Sequence, residues 1–335
     1  MYEDLQLLKD SLFDLGIPVL HKRTETSPKY ITYHFDLPKI TDLDGIDRKT
    51  KFISAYIHKD VQYVRSETNH FALRIPRPRG SSVKLLDKKY NKFFNQENCL
   101  NMLMGVDDNG ETVVVDLKNV PHILIAGTTG SGKSVMVNSL ICGLLRQKEP
   151  VDFYLVDTKK VELSAYKDCV KNIATSAQQA IELLDYICTE MSIRYCIMES
   201  NKIKRKPDWC KEIVVVIEEL NDLMIASKKV VENYIVRIAQ LGRAAGIHLI
   251  IATQHPVVST LTGDIKANIG CRLALQTTSY TDSICILGHK GAEQLKGKGD
   301  ALLKLPTQSD EIHLQCPYVS DEEITKTVEG YNEQD

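Results

Sequence analysis

The sequence predicts an α/β protein: a mainly parallel sheet covered by helices on both faces, preceded by a small α+β domain. Two observations carry this. Continuous apolar runs such as "HILIAG", "IVVVI" and "IHLIIA" recur between residues 122 and 252, and strands without polar alternation are those buried on both faces. Stretches of helix length separate these runs, which is the rhythm of strand–helix–strand units in a parallel sheet.

The elements follow in order. Residues 5–15, "LQLLKDSLFDL", hold apolar residues at helical spacing and stop at Gly16-Ile17-Pro18, so they predict a short amphipathic helix. Short β-prone runs come next: "KYITYHF" (29–35), "KFISAYI" (51–57), "VQYVRS" (61–66) and "FALRIP" (71–76). "PRPRGSS" (76–82) is the clearest Pro/Gly/Ser break, and the expected division is a small domain over 1–80, the main domain over 81–320 and a polar, frayed tail over 321–335. Within the main domain, "TVVVDL" and "HILIAG" read as buried strands. They are followed by a helix from Gly132, the strand "VDFYLVD", a helix over 175–199, the strand "IVVVIEE", a helix over 230–244, and the strands "IHLIIATQ" and "RLALQT".

Composition narrows the function classes. The 335 residues are 43% hydrophobic and 26% charged, as in an ordinary globular protein with a real core. A net charge of −2 gives no global attraction to nucleic acid, so any DNA partner requires a local positive surface. Nine scattered cysteines form no CxxC pair, which predicts reduced thiols in a cytoplasmic protein and no zinc site. No apolar run approaches the ~18–20 residues that span a bilayer, and "MYEDLQLLKD" is acidic with no apolar stretch after it. No membrane insertion by this chain is expected.

The chemistry concentrates in "GTTGSGKS", Gly127–Ser134, which fits G-x-x-x-x-G-K-[ST] between an apolar strand and a helix. Small residues let backbone N–H groups turn inward around a β-phosphate, and the helix N-terminus adds its dipole. ATP and Mg²⁺ are therefore the expected ligands. Gly127, Thr128, Thr129, Gly130, Ser131, Gly132, Lys133, Ser134 and Val135 are the nucleotide-binding candidates, with Lys133 on the β/γ-phosphates and Ser134 on the metal. The plain alternative is a Gly/Ser-rich turn that binds nothing.

A second strand, "IVVVIEE", runs into Glu218 and Glu219. Glu218 is expected in the Mg²⁺ shell, and Glu219 as the group that orients or deprotonates the attacking water. The alternative is a strand end whose acids meet solvent. "IIATQH" ends another buried strand at Thr253 and Gln254, where a polar side chain can sense a γ-phosphate, or simply begin a loop.

Taken together, "VPHILIAGTTGSGKSVMVNSLICGLL", "FYLVDTKKVELSAY", "IVVVIEELNDLM", "RIAQLGRAAGIHLIIATQHP", "TGDIKANIGCRLALQT", "DSICILG" and "GAEQLKGKGDALL" resemble one family, the FtsK/SpoIIIE DNA translocases of the HerA-like ATPases. Their order covers about residues 120–305, and looser likenesses upstream, "LFDLGIP", "YITYHF" and "FALRIP", resemble the family's smaller α domain. The resemblance implies a RecA-like ATPase domain and a homo-hexameric ring. Such a ring threads double-stranded DNA through its pore and hydrolyses ATP between subunits. It also implies that Arg243 or Arg272 supplies charge to a neighbour's γ-phosphate, and that Asp157 and Lys159 lie near the nucleotide or the subunit interface. Pore-loop contact to DNA is expected from "HPVVSTLTGDIKAN" (255–268), with His255 and Lys266 as the candidate residues. The basic runs "KIKRK" (202–206) and "RIPRPR" (74–79) read as solvated loops.

Three substitutions depart from the family pattern. Glu218 stands where Asp is usual, Thr158 replaces the proline of "DPK", and His255 replaces the arginine of "TQRP". The expected chain has neither the winged-helix γ domain nor membrane helices, which suits a short motor of a plasmid, integrative element or phage. The alternative within the same resemblance is a protein-export ATPase of the type VII secretion kind, and a third reading is a degenerate ATPase retained as an assembly scaffold.

Overall fold

Periodicity explains the first of the chain's two compact units, Met1–Val83 with Val106–Thr112. The computed structural model describes residues 2–38, 43–65, 69–77 and 82–332. In this unit α1 (Tyr2–Asp14) is followed by β1 (Leu20–Thr26), β2 (Tyr30–Asp36), α2 (Leu43–Ile57), β3 (Gln62–Arg65) and β4 (His70–Pro76). The strands form one antiparallel sheet in the order β1-β2-β4-β3. Tyr33 and Phe35 of β2 and Phe71, Leu73 and Ile75 of β4 alternate onto the face that meets Leu8, Leu12, Ile46, Ile53 and Ile57 of the two helices. "KFISAYI", expected as a strand, lies in α2. Its buried residues Ile53 and Ile57 are four apart and continue the stripe from Ile46, so the helical period prevails over the β-branched content. Residues 78–81 of the expected break at 76–82, of which 78 and 79 also belong to the basic run at 74–79, lie outside the described residues.

The second unit comprises Lys84–Gly105 and Val113–Asp335. After the two-residue β5 (Val83–Lys84) and the short α3 (Asn91–Phe94), it contributes most of a ten-stranded sheet. Its strands are β6 (Asn101–Asp107), β7 (Thr112–Asp116), β8 (His122–Ala126), β9 (Val151–Val156), β10 (Asn172–Ala174), β11 (Glu212–Ile217), β12 (Ile247–Thr253), β13 (Cys271–Leu275), β14 (Asp300–Lys304) and β15 (Ile312–Gln315). The order is β10-β9-β11-β12-β8-β13-β14-β15-β6-β7. From β10 to β13 every pairing is parallel, and β14 and β15 then add antiparallel. The α/β class expected from the sequence is the fold observed.

Helices cover both faces, as the unbroken apolar strands require. Ile213, Val215 and Ile217 of β11 pack in one cluster with α5 (Ala177–Asn201) and α6 (Leu220–Ala245). Val214 and Val216, equally buried, point to the other face, where α4 (Lys133–Leu145) contacts β8 and β12. Because the six strands are parallel, their carboxyl ends gather on one edge, and the loops that follow β8, β9, β11 and β12 meet there.

In this unit β7, expected as a buried strand, is instead the edge of the sheet with only Val115 buried, and two further elements differ from expectation. The helix placed at 230–244 begins at Leu220, because Leu220, Leu223 and Met224 bury at helical spacing; a non-helical residue, Ser227, interrupts it. The expected frayed tail instead contains α9 (Asp321–Asn332), which follows the short β16 (Pro317–Tyr318) and buries Ile324 and Val328 four residues apart. Polar composition hid that narrow stripe. Between β12 and β14 lie the short α7 (Gly263–Asn268) and α8 (Tyr280–Leu287). Among the described residues no helix is long and apolar enough to cross a membrane.

Candidate functional site

The loop Gly127–Gly132 leaves the fully buried β8 and turns into α4. Gly130 and Gly132 hold φ of +81° and +103°, left-handed values that favour glycine. Gly132 has a second reason to lack a side chain: a Cβ there would come within 2.7 Å of the Gly299 nitrogen. The loop is pinned from outside by Thr128 N–H donating to the Gln276 carbonyl (2.9 Å) and Gly299 N–H donating to the Ser131 carbonyl (2.7 Å). Residues 297–299, "GKG", all adopt positive φ. The segment belongs to the family resemblance, but its place on the phosphate loop is set by folding; two glycines within three residues are the only local signal of it.

Lys133, 3% exposed, folds its ammonium onto the acidic strand. Its Nζ lies 2.6 Å from Glu218 Oε1 and donates to the Glu218 carbonyl oxygen at 2.9 Å. The second carboxylate oxygen of Glu218 is buried with no hydrogen-bond partner, as is Ser131 Oγ. A buried acceptor left unmet costs free energy, so this oxygen marks where a donor or cation fits. Ser134 sits one residue after Lys133, half-buried in the first turn of α4.

Glu219 is held quite differently. It caps α6, accepting from Asn221 N–H at 3.3 Å. It also accepts from Thr253 Oγ1 at 2.7 Å and from Gln254 N–H at 3.1 Å, while Lys159 Nζ stands 3.8 Å away. Gln254 then reaches the phosphate loop, its Oε1 accepting from Thr129 Oγ1 at 2.9 Å. The ends of β8, β11 and β12 are thereby joined by hydrogen bonds from Thr129 through Gln254 to Glu219. Thr158, in the place of the expected proline, donates to Asp222 at 2.9 Å. Asp157 accepts from the N–H groups of Lys159, Lys160 and Leu163 (3.2, 2.9 and 3.0 Å). It therefore shapes the turn that presents Lys159.

Four candidates do not converge on this cluster. Arg243 is exposed in the last turn of α6, which starts at the site and runs 26 residues with a kink at Ser227, so it lies at the far end of that element. Its side chain has no hydrogen bond or ion pair among the described residues. Arg272 is committed within its own chain: its guanidinium donates to the carbonyls of Ile269 and Ile286 at 3.1 Å and also to that of Lys266. Three carbonyls of its own chain thus engage Arg272, which anchors α7 and α8 to β13; two of its five N–H donors stay unengaged by these bonds. Lys266 is half-buried with Nζ 3.9 Å from Cys285 Sγ, whereas His255 is exposed beside Val257 and Val258.

A glycine-bearing phosphate loop, a buried lysine and an acidic strand at the carboxyl edge of a parallel sheet define the class: this is a P-loop ATPase fold. Comparison with known proteins agrees. The FtsK/SpoIIIE family profile matches residues 85–208 and 205–258, and the chain belongs to that family. It is 43% identical over 250 residues to the DNA translocase FtsK of Leptospira interrogans, covering 69% of this chain and 26% of that protein. It is 42% identical over 258 residues to the FtsK of Caldanaerobacter subterraneus, covering 73% and 36%. The chain thus spans about a quarter to a third of the length of these relatives. Among solved structures, the pCW3 conjugation coupling protein TcpA, a monomer form with ATPγS, aligns with a TM-score of 0.69 at 22% identity, covering 98% of this chain and 99% of that one. The cytoplasmic domain of the type VII secretion ATPase EccC of Thermomonospora curvata gives 0.64 at 24% identity, covering 75% and 34%. At these identities the two structures share the fold.

Proposed function

We propose that the protein is an ATP-driven translocase of double-stranded DNA that works as a ring of identical subunits and serves a plasmid, integrative element or phage. The observation that carries the reading is the pair of unlike carboxylates at the end of β11. One is half-satisfied on the phosphate-loop lysine and the other is fixed against Thr253 and Gln254. Lys133 exchanges its Glu218 contact for the β/γ-phosphates when nucleotide enters. Ser134 and Glu218 would hold Mg²⁺, and the unpartnered Glu218 oxygen fits that task. The metal, when bound, neutralises charge on the phosphates. Glu219, positioned by three donors, orients the attacking water and takes its proton. Gln254 reports the γ-phosphate to both the loop and Glu219. Arg243, whose head is uncommitted, supplies charge to the neighbouring subunit's site, and His255 with Lys266 contacts the DNA backbone without reading sequence.

The test is ATP turnover of the chain at low salt and assembly-permitting concentration, with and without linear duplex DNA. Turnover is expected to rise several-fold with duplex, and hydrolysis is expected to displace a third strand from a triplex. Turnover indifferent to duplex and single-stranded DNA sinks the proposal, and stimulation by a secreted peptide instead moves the assignment to export.

A further inference from the structure

The second unit contains a cavity of about 450 Å³ that the nucleotide site does not use, lying where the C-terminal end of α4 meets α3 and α9. Arg146, the C-cap residue of α4, is its chemical centre. The guanidinium lies over the Phe94 ring, 4.9 Å from its centroid, and Nη2 donates to Asn91 Oδ1 at 2.8 Å. The other terminal nitrogen, Nη1, is buried and has no hydrogen-bond partner. Lys326 of α9 adds a second cation to the wall, and no carboxylate lines the cavity among the described residues.

A buried guanidinium donor without a partner is costly, and the exposed Lys326, with Glu322 one turn before it, adds positive charge at the rim. Solvent water reaching this open cavity would meet Nη1 but would not balance its charge, and the volume falls within the ~300–1,000 Å³ of small-molecule sites. We propose that the cavity binds a small organic anion. Its phosphate or carboxylate head sits on Arg146 Nη1 with Lys326 at the rim, and its body fills the space beside Asn95, Thr327 and Gly330. Since α4 begins at Lys133, this ligand and the nucleotide occupy opposite ends of one 13-residue helix, about 20 Å apart at 1.5 Å per residue.

Calorimetric titration of the whole chain with phenyl phosphate, benzoate and the neutral benzyl alcohol tests this. Phenyl phosphate or benzoate is expected to bind one site with the same affinity in the wild type and in Lys133→Ala, which separates this cavity from the phosphate loop. Arg146→Gln should weaken binding at least tenfold, and Lys326→Ala about threefold. Gly330→Trp should abolish it: Gly330 lines the cavity and an added Cβ meets nothing within 4 Å, so this variant fills the space without depending on Arg146 for folding. Whichever anion binds more tightly identifies the head group. The proposal is overturned if neither anion binds, if Lys133→Ala removes the binding, if Gly330→Trp leaves it intact, or if benzyl alcohol binds equally well.

Discussion

One buried glutamate opens strand β11 and another directly follows it, and comparing them separates what holds the protein together from what it uses. Glu212 opens the strand, 4% exposed. Its Oε2 is 3.1 Å from His248 Nε2, and its Oε1 is 3.3 Å from Lys206 and 3.7 Å from Lys118. Both oxygens are engaged. Burial alone would raise its pKa, but the His248 hydrogen bond and charge, with Lys206 and Lys118, more than offset this and hold it at about 2. Glu218 follows the strand, 1% exposed, with one oxygen on Lys133 and the other on nothing. An acid the fold has saturated is structural, whereas an acid left half-paired at equal burial keeps room for a ligand.

Substitutions at the two ends should break this comparison in different currencies. The largest effect is expected from Lys133→Ala, which should bring ATP turnover to background, on the order of 10³-fold or more, and should also lower the melting temperature, because the buried Glu218 loses its cation. Glu219→Gln should retain nucleotide binding, measured with a fluorescent ATP analogue, while losing about 10²–10⁴-fold in turnover. Within the pair, Glu219→Asp should cripple turnover, since the shorter carboxylate leaves its three donors, while Glu218→Asp should keep or raise it. Opposite behaviour of the two aspartates would reverse the roles assigned to them.

At the other end of the strand, Glu212→Gln should cost about 3 kcal/mol of stability, because it removes the carboxylate shared by the buried His248 and the half-buried Lys206, and should leave turnover per folded molecule nearly unchanged. A folded-state pKa lowered to about 2 means that this stability is fully present above the unfolded value near 4.5. It is lost as pH falls from there towards 2. Denaturant titrations of wild type and Glu212→Gln should therefore converge across that window. The smallest effect is expected from Lys118→Met, where a partly exposed lysine 3.7 Å from Glu212 contributes about 1 kcal/mol or less, read from the same titrations.

Much of this site is legible in the sequence because its signals are local. "GTTGSGKS" combines glycines at left-handed positions with a lysine at fixed spacing, and "IVVVIEE" places two acids directly after a buried strand. The P-loop fold follows, because uninterrupted apolar strands demand cover on both faces. What failed was local composition read against context: "KFISAYI" is β-prone yet helical in α2, and the polar end hides α9. The hold on Arg272 is equally hidden: the carbonyls at 266 and 269 are near in the chain, but that of Ile286, at the end of α8, reaches the guanidinium only on folding.

The sequence by itself determined the class of fold, the phosphate loop and the two acids, since each depends on residues adjacent in the chain. Tertiary structure alone decided that β12 lies between β8 and β11, so that Gln254 bridges the loop to Glu219. It also decided that "GKG" at 297–299 closes onto Gly132, and that Glu212 is saturated while Glu218 is not. The reason is physical: whether a buried polar atom has a partner depends on neighbours tens to hundreds of residues away, and strand order, which no single stretch of sequence encodes, selects those neighbours.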